Sequence, residues 1–180
     1  PTARFISQRF DYLGIDISPV QIELARHNVP KARFGVADMA TLTFPDAEFD
    51  AVIALYSLIH VPLAEQPALL NAVYQWLRPN GCFLCVVGAN AWTGTETDWV
   101  APGTRMYWSH TDADTYQSWF IEAGFTIMER HFVAEGAAGQ VLLEAGFYDE
   151  ALGHFRSAMS ADPGKPIYPF GAARAQLALK

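Results

Sequence analysis

Phe49-Asp50-Ala51-Val52-Ile53-Ala54-Leu55-Tyr56-Ser57-Leu58-Ile59-His60-Val61 decides the fold of this chain. Every residue from 51 to 55 is apolar. A strand with one wet face alternates apolar and polar side chains. An unbroken run suits a strand covered on both faces, as in a parallel sheet with helices on either side. At its C-terminal end the run gives way to Tyr56, Ser57 and His60, two hydroxyls and an imidazole where the strand should stop. Open α/β sheets take their ligands beyond the carboxyl ends of the strands, so chemistry is expected there.

The flanking segments agree with such a sheet. Tyr12-Leu13-Gly14-Ile15-Asp16 is a short strand that ends on an acid, and residues 2–9 before it resemble the end of a helix. Ser18 and Pro19 then open a second helix. Ser18 is the cap, Pro19 suits the first helical position, Gln21 sits where a capping box wants it, and Ile17 and Ile22 are placed as a hydrophobic staple. Residues 33–36 form another strand, followed by Ala37-Asp38-Met39, again with an acid at the strand end. After Pro62 a helix carries Leu69, Leu70, Val73 and Leu77 at helical spacing. Arg78-Pro79-Asn80-Gly81 ends it, and residues 82–87 are the next strand. Thr111 caps a helix running to Ala123, Gly124 stops it, and residues 126–133 alternate as a last strand. This order of elements predicts an α/β sheet. Residues 88–109 lack periodicity and are rich in aromatics, among them Trp92, Trp99, Tyr107 and Trp108. Both a hydrophobic substrate lid and ordinary loop packing suit such a segment.

Composition narrows the function. The chain has 180 residues, 51% of them hydrophobic and 17% charged, which supports a packed core and excludes a disordered chain. A net charge of −7 with only Lys31, Lys165 and Lys180 as lysines argues against nucleic-acid binding. No apolar run reaches the length of a membrane span and no signal peptide opens the chain, so a cytoplasmic protein is expected. Cys82 and Cys85 form a C-x-x-C pair, but within a strand residues three apart point to opposite faces. They are therefore expected to be structural, and no metal site is expected.

Asp16 and Asp38 are the most informative pair. A carboxylate at the end of one strand can accept hydrogen bonds from both ribose hydroxyls of a nucleoside cofactor, and one after the next strand can accept from an adenine amine. His60 suits a base or an orienting group, since an imidazole titrates near neutrality. Tyr56 and Ser57 are placed to close the cofactor pocket.

Taken together, Gly14-Ile15-Asp16-Ile17-Ser18-Pro19, Ala37-Asp38-Met39, Phe49-Asp50-Ala51-Val52, Leu77-Arg78-Pro79-Asn80-Gly81 and Glu122-Ala123-Gly124-Phe125 resemble the class I S-adenosylmethionine-dependent methyltransferases over residues 1–133. The resemblance implies a Rossmann-like, mostly parallel sheet with flanking helices and S-adenosyl-L-methionine as cofactor. It implies cofactor contacts from Asp16, Ile17, Asp38, Met39 and Tyr56, with Asp16 on the ribose, Asp38 on the adenine amine and Met39 lining the adenine pocket. Ser57, His60, Trp92, Tyr107 and Trp108 would face a small-molecule substrate, with His60 as an optional catalytic base. The family's first strand and glycine-rich loop would lie just before Pro1, so the chain is expected to begin mid-protein and to bind cofactor weakly, through the adenosine half.

The C-terminal part resembles a tetratricopeptide repeat, with Gly139, Gly146, Ala151, Phe155, Ala158 and Pro163 at repeat spacing. On that reading residues 1–135 form the α/β domain and residues 136–180 a helical hairpin segment. Helices are expected at 137–145, 148–161 and 170–179, with a protein or peptide partner for the repeat. Residues 140–144 suit either a helix, which is favoured, or the final strand of the methyltransferase sheet.

Three functions follow in order of support. The first is methyl transfer to an O, N or C atom of a small molecule. The second is an interaction module with an inert α/β part. A nicotinamide-dependent oxidoreductase comes last, because no tyrosine has a lysine four residues on. With the first and last strands of the family set aside, the expected sheet is five-stranded and all parallel, in the order Arg33, Tyr12, Ala51, Cys82, Thr126, each strand named by its first residue. The strands starting near Tyr12 and Ala51 would pair directly, as would those starting near Cys82 and Thr126.

Overall fold

The structure, a computed structural model, describes residues 2–133, 140–146 and 174–178. Along the chain come α1 (Thr2–Ile6), β1 (Tyr12–Asp16), α2 (Pro19–Asn28), β2 (Arg33–Val36), β3 (Phe49–Leu55), a 3-10 turn (Leu58–His60) and α3 (Gln66–Trp76). β4 (Leu77–Gly88), β5 (Trp92–Thr97), β6 (Arg105–His110), α4 (Ala113–Glu122), β7 (Thr126–Val133), β8 (Gln140–Gly146) and β9 (Arg174–Ala178) follow.

The apolar run is covered on both faces, as its composition requires. On β3, Val52 and Ala54 enter one core with Phe83, Cys85 and Val87 of β4, beneath α3 and α4. Ile53 and Leu84 enter a second core on the opposite face, with Ala3, Ile6 and Tyr12. The period of two sends Cys82 and Cys85 to opposite faces, where both are buried. Burial raises the Cys85 thiol pKa far above its usual value. Phe83 is the centre of the larger core, stacked on Phe120 at 5.5 Å and tilted against Phe125 at 5.8 Å.

The seven-stranded sheet has the order β2-β1-β9-β3-β4-β8-β7. β1–β2 and β3–β4 are parallel, whereas β9 is antiparallel to β1 and β3, and β8 is antiparallel to β4 and β7. The five strands expected from the sequence therefore keep their order and common direction. Their direct pairing does not survive: an antiparallel strand fills each gap where β1 would have met β3 and β4 would have met β7. Residues 140–144, expected to be helical, are strand, and this edge has the topology that the methyltransferase resemblance implies. Val141-Leu142-Leu143 is an apolar run of strand length, and it meets two ladders whose N–H and C=O groups need partners. The helix expected at 170–179 is likewise replaced, at Arg174–Ala178, by a strand. Here ladder pairing overrides the helix preference of Ala, Gln, Leu and Arg. With strands at these two places the tetratricopeptide hairpin loses its first and third helices, and with them the basis for a peptide partner. The second, at 148–161, lies outside the described residues.

Smaller expectations are also corrected. Ser18 does cap α2, accepting from the Gln21 N–H at 3.4 Å, and Ile22 is buried, but Ile17 is 67% exposed and makes no staple. The cap of α4 is Asp112, one residue after Thr111; its Oδ1 accepts from the N–H groups of Asp114 and Thr115. The segment without periodicity contains the β5–β6 hairpin, a separate two-stranded sheet. Its residues are mostly exposed, so no buried stripe marked them as strands. Among the described residues no helix is long and apolar enough to cross a membrane.

Truncating Phe83 to Ala should empty the centre of the larger core and destabilise the protein by about 3–5 kcal/mol. Urea unfolding followed by far-ultraviolet circular dichroism would measure it. A loss under about 1 kcal/mol would mean that this core is not closely packed.

Candidate functional site

The parallel register of β1 and β2 opposes Asp16 to Val36, and the Ala37 N–H donates to the Asp16 carbonyl at 3.1 Å. Asp16 and Asp38 thus lie at the carboxyl ends of adjacent strands, as expected. Their surroundings differ. Asp16 is 9% exposed and its Oδ1 accepts from the Ser18 N–H at 2.8 Å, so the acid that closes β1 also shapes the turn into α2. Asp38 is exposed, and its Oδ1 accepts from the Ala40 N–H at 2.9 Å. Met39 beside it is half-buried against the larger core, and Ile17 faces solvent.

Adjacent strands lie about 4.8 Å apart, so the end of β3, two strands from β1, is about 10 Å from Asp16. There the chain leaves the sheet through Tyr56 at φ +56°. A bulky side chain rarely adopts the left-handed region, and holding one there costs about 1–3 kcal/mol. The turn carries Ser57 inward. Its hydroxyl is buried with no hydrogen-bond partner among the described residues, an orphan at the head of the strand.

His60 closes the 3-10 turn that follows. Its Nδ1 lies 2.6 Å from the Tyr107 carbonyl oxygen. A carbonyl only accepts, so Nδ1 carries the proton and Nε2 of the neutral ring keeps its lone pair. Burial holds the His60 pKa below the usual imidazole value. The hydrogen bond to Tyr107 opposes that effect, and the neighbouring His110 adds to it. The ring packs on Trp108 with centroids 4.7 Å apart, and Trp108 meets Trp99 at 5.6 Å and Trp92 at 6.4 Å. Glu96 Oε2 accepts from the Trp108 Nε1–H at 2.9 Å. His60, Trp92 and Trp108 are therefore brought together by the hairpin. Tyr107 joins them through its backbone, while its side chain is 41% exposed.

Sequence reasoning passed over several residues here. Gln66 is wholly buried: its Nε2 donates to the Val61 carbonyl at 2.7 Å and the Ser109 carbonyl at 2.6 Å, and its Oε1 accepts from the Tyr116 hydroxyl at 2.6 Å. The signal was available, since Gln66 falls on the stripe of Leu69, Leu70 and Val73, where a polar side chain must find partners. His110 Nδ1, 2.7 Å from the Asn90 carbonyl, is protonated on the same ring atom as His60. Gly88 has no side chain because a Cβ there would run into the His110 ring. Among the described residues no group of three or more His, Cys, Asp or Glu side chains could hold a metal.

Residues 2–81 match the family described as "Methyltransferase domain". The chain is 26% identical to phosphoethanolamine N-methyltransferase of Triticum aestivum over 144 residues, covering 77% of this chain and 27% of that protein. It is 30% identical to the 27-O-demethylrifamycin SV methyltransferase of Amycolatopsis mediterranei over 176 residues, covering 83% of this chain and 64% of that one. In each case the chain spans less than two thirds of the relative's length. Among solved structures, 1,6-didemethyltoxoflavin-N1-methyltransferase of Burkholderia thailandensis, with bound 1,6-didemethyltoxoflavin and S-adenosylhomocysteine, superposes with a TM-score of 0.63 at 20% identity. That match covers 82% of this chain and 66% of the other. The fold is that of the class I S-adenosylmethionine-dependent methyltransferases.

A histidine whose pKa is lowered in the folded protein binds protons more readily when unfolded. Its contribution to stability is present above the unfolded pKa of about 6.5 and is lost as pH falls below it. The urea midpoint should therefore drop between pH 7.5 and pH 5.5, and His60→Asn should flatten that drop. An identical pH dependence in the variant would mean that His60 titrates as it does in water.

Proposed function

We propose that this protein transfers a methyl group from S-adenosyl-L-methionine to an O, N or C atom of a small molecule. The observation that carries the reading is the pair of acids, Asp16 and Asp38, at the ends of adjacent parallel strands within a methyltransferase fold. Asp16 would accept from the ribose hydroxyls and Asp38 from the adenine amine, with Met39 and Ile17 against the adenine faces. The residues present fit that half of the cofactor. Carboxylates only accept and these ligand groups donate, and Met39 offers the partly covered apolar surface that a purine ring needs.

When bound, S-adenosylmethionine supplies a methyl group already activated on a sulfonium, so orientation matters more than acid–base assistance. Tyr56, in its left-handed conformation, would close the far side of the cofactor. The orphan Ser57 hydroxyl would gain a partner there. His60 Nε2, with its lone pair kept by the Nδ1–H bond to Tyr107, would take a proton from the acceptor atom. Trp92, Tyr107 and Trp108 would cover the acceptor. The acceptors named in the relatives differ widely, so substrate choice is assigned to this aromatic cover rather than to the sheet.

Calorimetric titration with S-adenosylhomocysteine, on this chain and on one extended upstream, tests the reading. Asp16→Asn keeps an oxygen for the Ser18 N–H but removes the charge. It should weaken binding by about 1.5–3 kcal/mol with little change in melting temperature. No binding by either wild-type chain, or binding indifferent to Asp16→Asn, would sink the reading.

A further inference from the structure

Among the described residues the β5–β6 hairpin shares no ladder with the seven-stranded sheet. What fastens its second strand beside the end of β3 is a seam of bonds involving side chains. His60 Nδ1–H meets the Tyr107 carbonyl, the Leu63 N–H donates to Ser109 Oγ at 2.9 Å, and Gln66 Nε2 donates to the Ser109 carbonyl. Gln66 reaches both sides, since its second N–H holds the Val61 carbonyl just after His60. Two carbonyls on one side and the Tyr116 hydroxyl on the other leave the amide a single orientation, with all of its hydrogen atoms used.

We infer that Gln66 is a positioning residue: by clamping β6 to the segment after β3 it keeps the Tyr107 carbonyl on His60 Nδ1, and so presents Nε2 as the basic face of the ring. The inference deepens the proposed function, on which the role of His60 as base rests. Gln66→Met, of similar volume, would take the Gln66 donor from two carbonyls and leave the buried Tyr116 hydroxyl proton without its acceptor. The simplest relief is for β6 to lift from the 60–66 segment so that water reaches them. His60 then loses its acceptor, and the imidazole returns to the Nε2–H tautomer that it prefers in water.

The test needs neither cofactor nor acceptor. In 15N-histidine-labelled wild-type protein above the imidazole titration range, long-range 1H–15N spectra should show His60 protonated on Nδ1, with its resonances assigned by His60→Gln. In Gln66→Met the same ring should become a mixture dominated by Nε2–H, and the Leu63 amide should exchange with solvent about tenfold faster or more. An unchanged tautomer and unchanged exchange in folded Gln66→Met would overturn the inference. If that variant does not fold, Tyr116→Phe decides. It leaves the Gln66 carbonyl oxygen without its donor, so Nε2–H should become detectable and the Leu63 amide should exchange several-fold faster. No change in either signal would overturn the inference equally. Failure to bind S-adenosylhomocysteine would remove the proposed function while leaving these signals as they are.

Discussion

A strand buried on both faces cannot leave a ladder edge open, because a buried N–H or C=O without a partner forfeits its hydration for nothing. β3 lies under that constraint along most of its length, with Val52 and Ala54 in one core and Ile53 in the other. β4 closes one of its edges and β9 the other. The helices follow, since each face of β3 and β4 needs an apolar cover. The site follows as well. When so covered a strand ends, the chain must turn sharply out of the sheet, and it does so through Tyr56, Ser57 and the turn that carries His60.

What could be read from the sequence was what a local pattern determines. The run at 51–55, the stripe of Leu69, Leu70 and Val73, and the Ser18–Pro19 start all stood out because each signal lies within a few residues of its structural consequence. The common direction of β2, β1, β3, β4 and β7 was legible because crossover handedness is a rule about consecutive elements, whereas their order rested on the family resemblance. Of the two inserted strands, the one at 140–144 was legible only as the alternative to a helix, and the one at 174–178 was not. Arg174-Ala175-Gln176-Leu177-Ala178 favours a helix locally, and the edges it pairs belong to strands more than a hundred residues earlier in the chain. Of the tetratricopeptide spacing, Ala151, Phe155, Ala158 and Pro163 lie outside the described residues.

At the site, the acids at the strand ends were visible and the polar frame behind them was not. Asp16, proposed for the ribose, serves the backbone through the Ser18 N–H, so deleting its side chain would disturb the turn into α2 as well as any ligand contact. Gln66, hidden on an apolar stripe, joins three segments. A polar residue at a core position says that partners exist but not where they are, because the carbonyl of Ser109 lies 43 residues away. The aromatic segment gave composition without geometry. An exposed hairpin buries no face, so it shows no period.

The hairpin has a consequence for how such a protein diversifies. Among the described residues its two strands pair only with each other, and the bonds that moor it include backbone atoms of Tyr107, Ser109 and Leu63. Backbone carbonyls survive any substitution of the side chains beside them. Trp92, Glu96 and Trp108 can therefore be exchanged one by one while the mooring and the sheet beneath stay intact. The surface that the hairpin presents can thus change by side-chain substitution while the core beneath it keeps its packing.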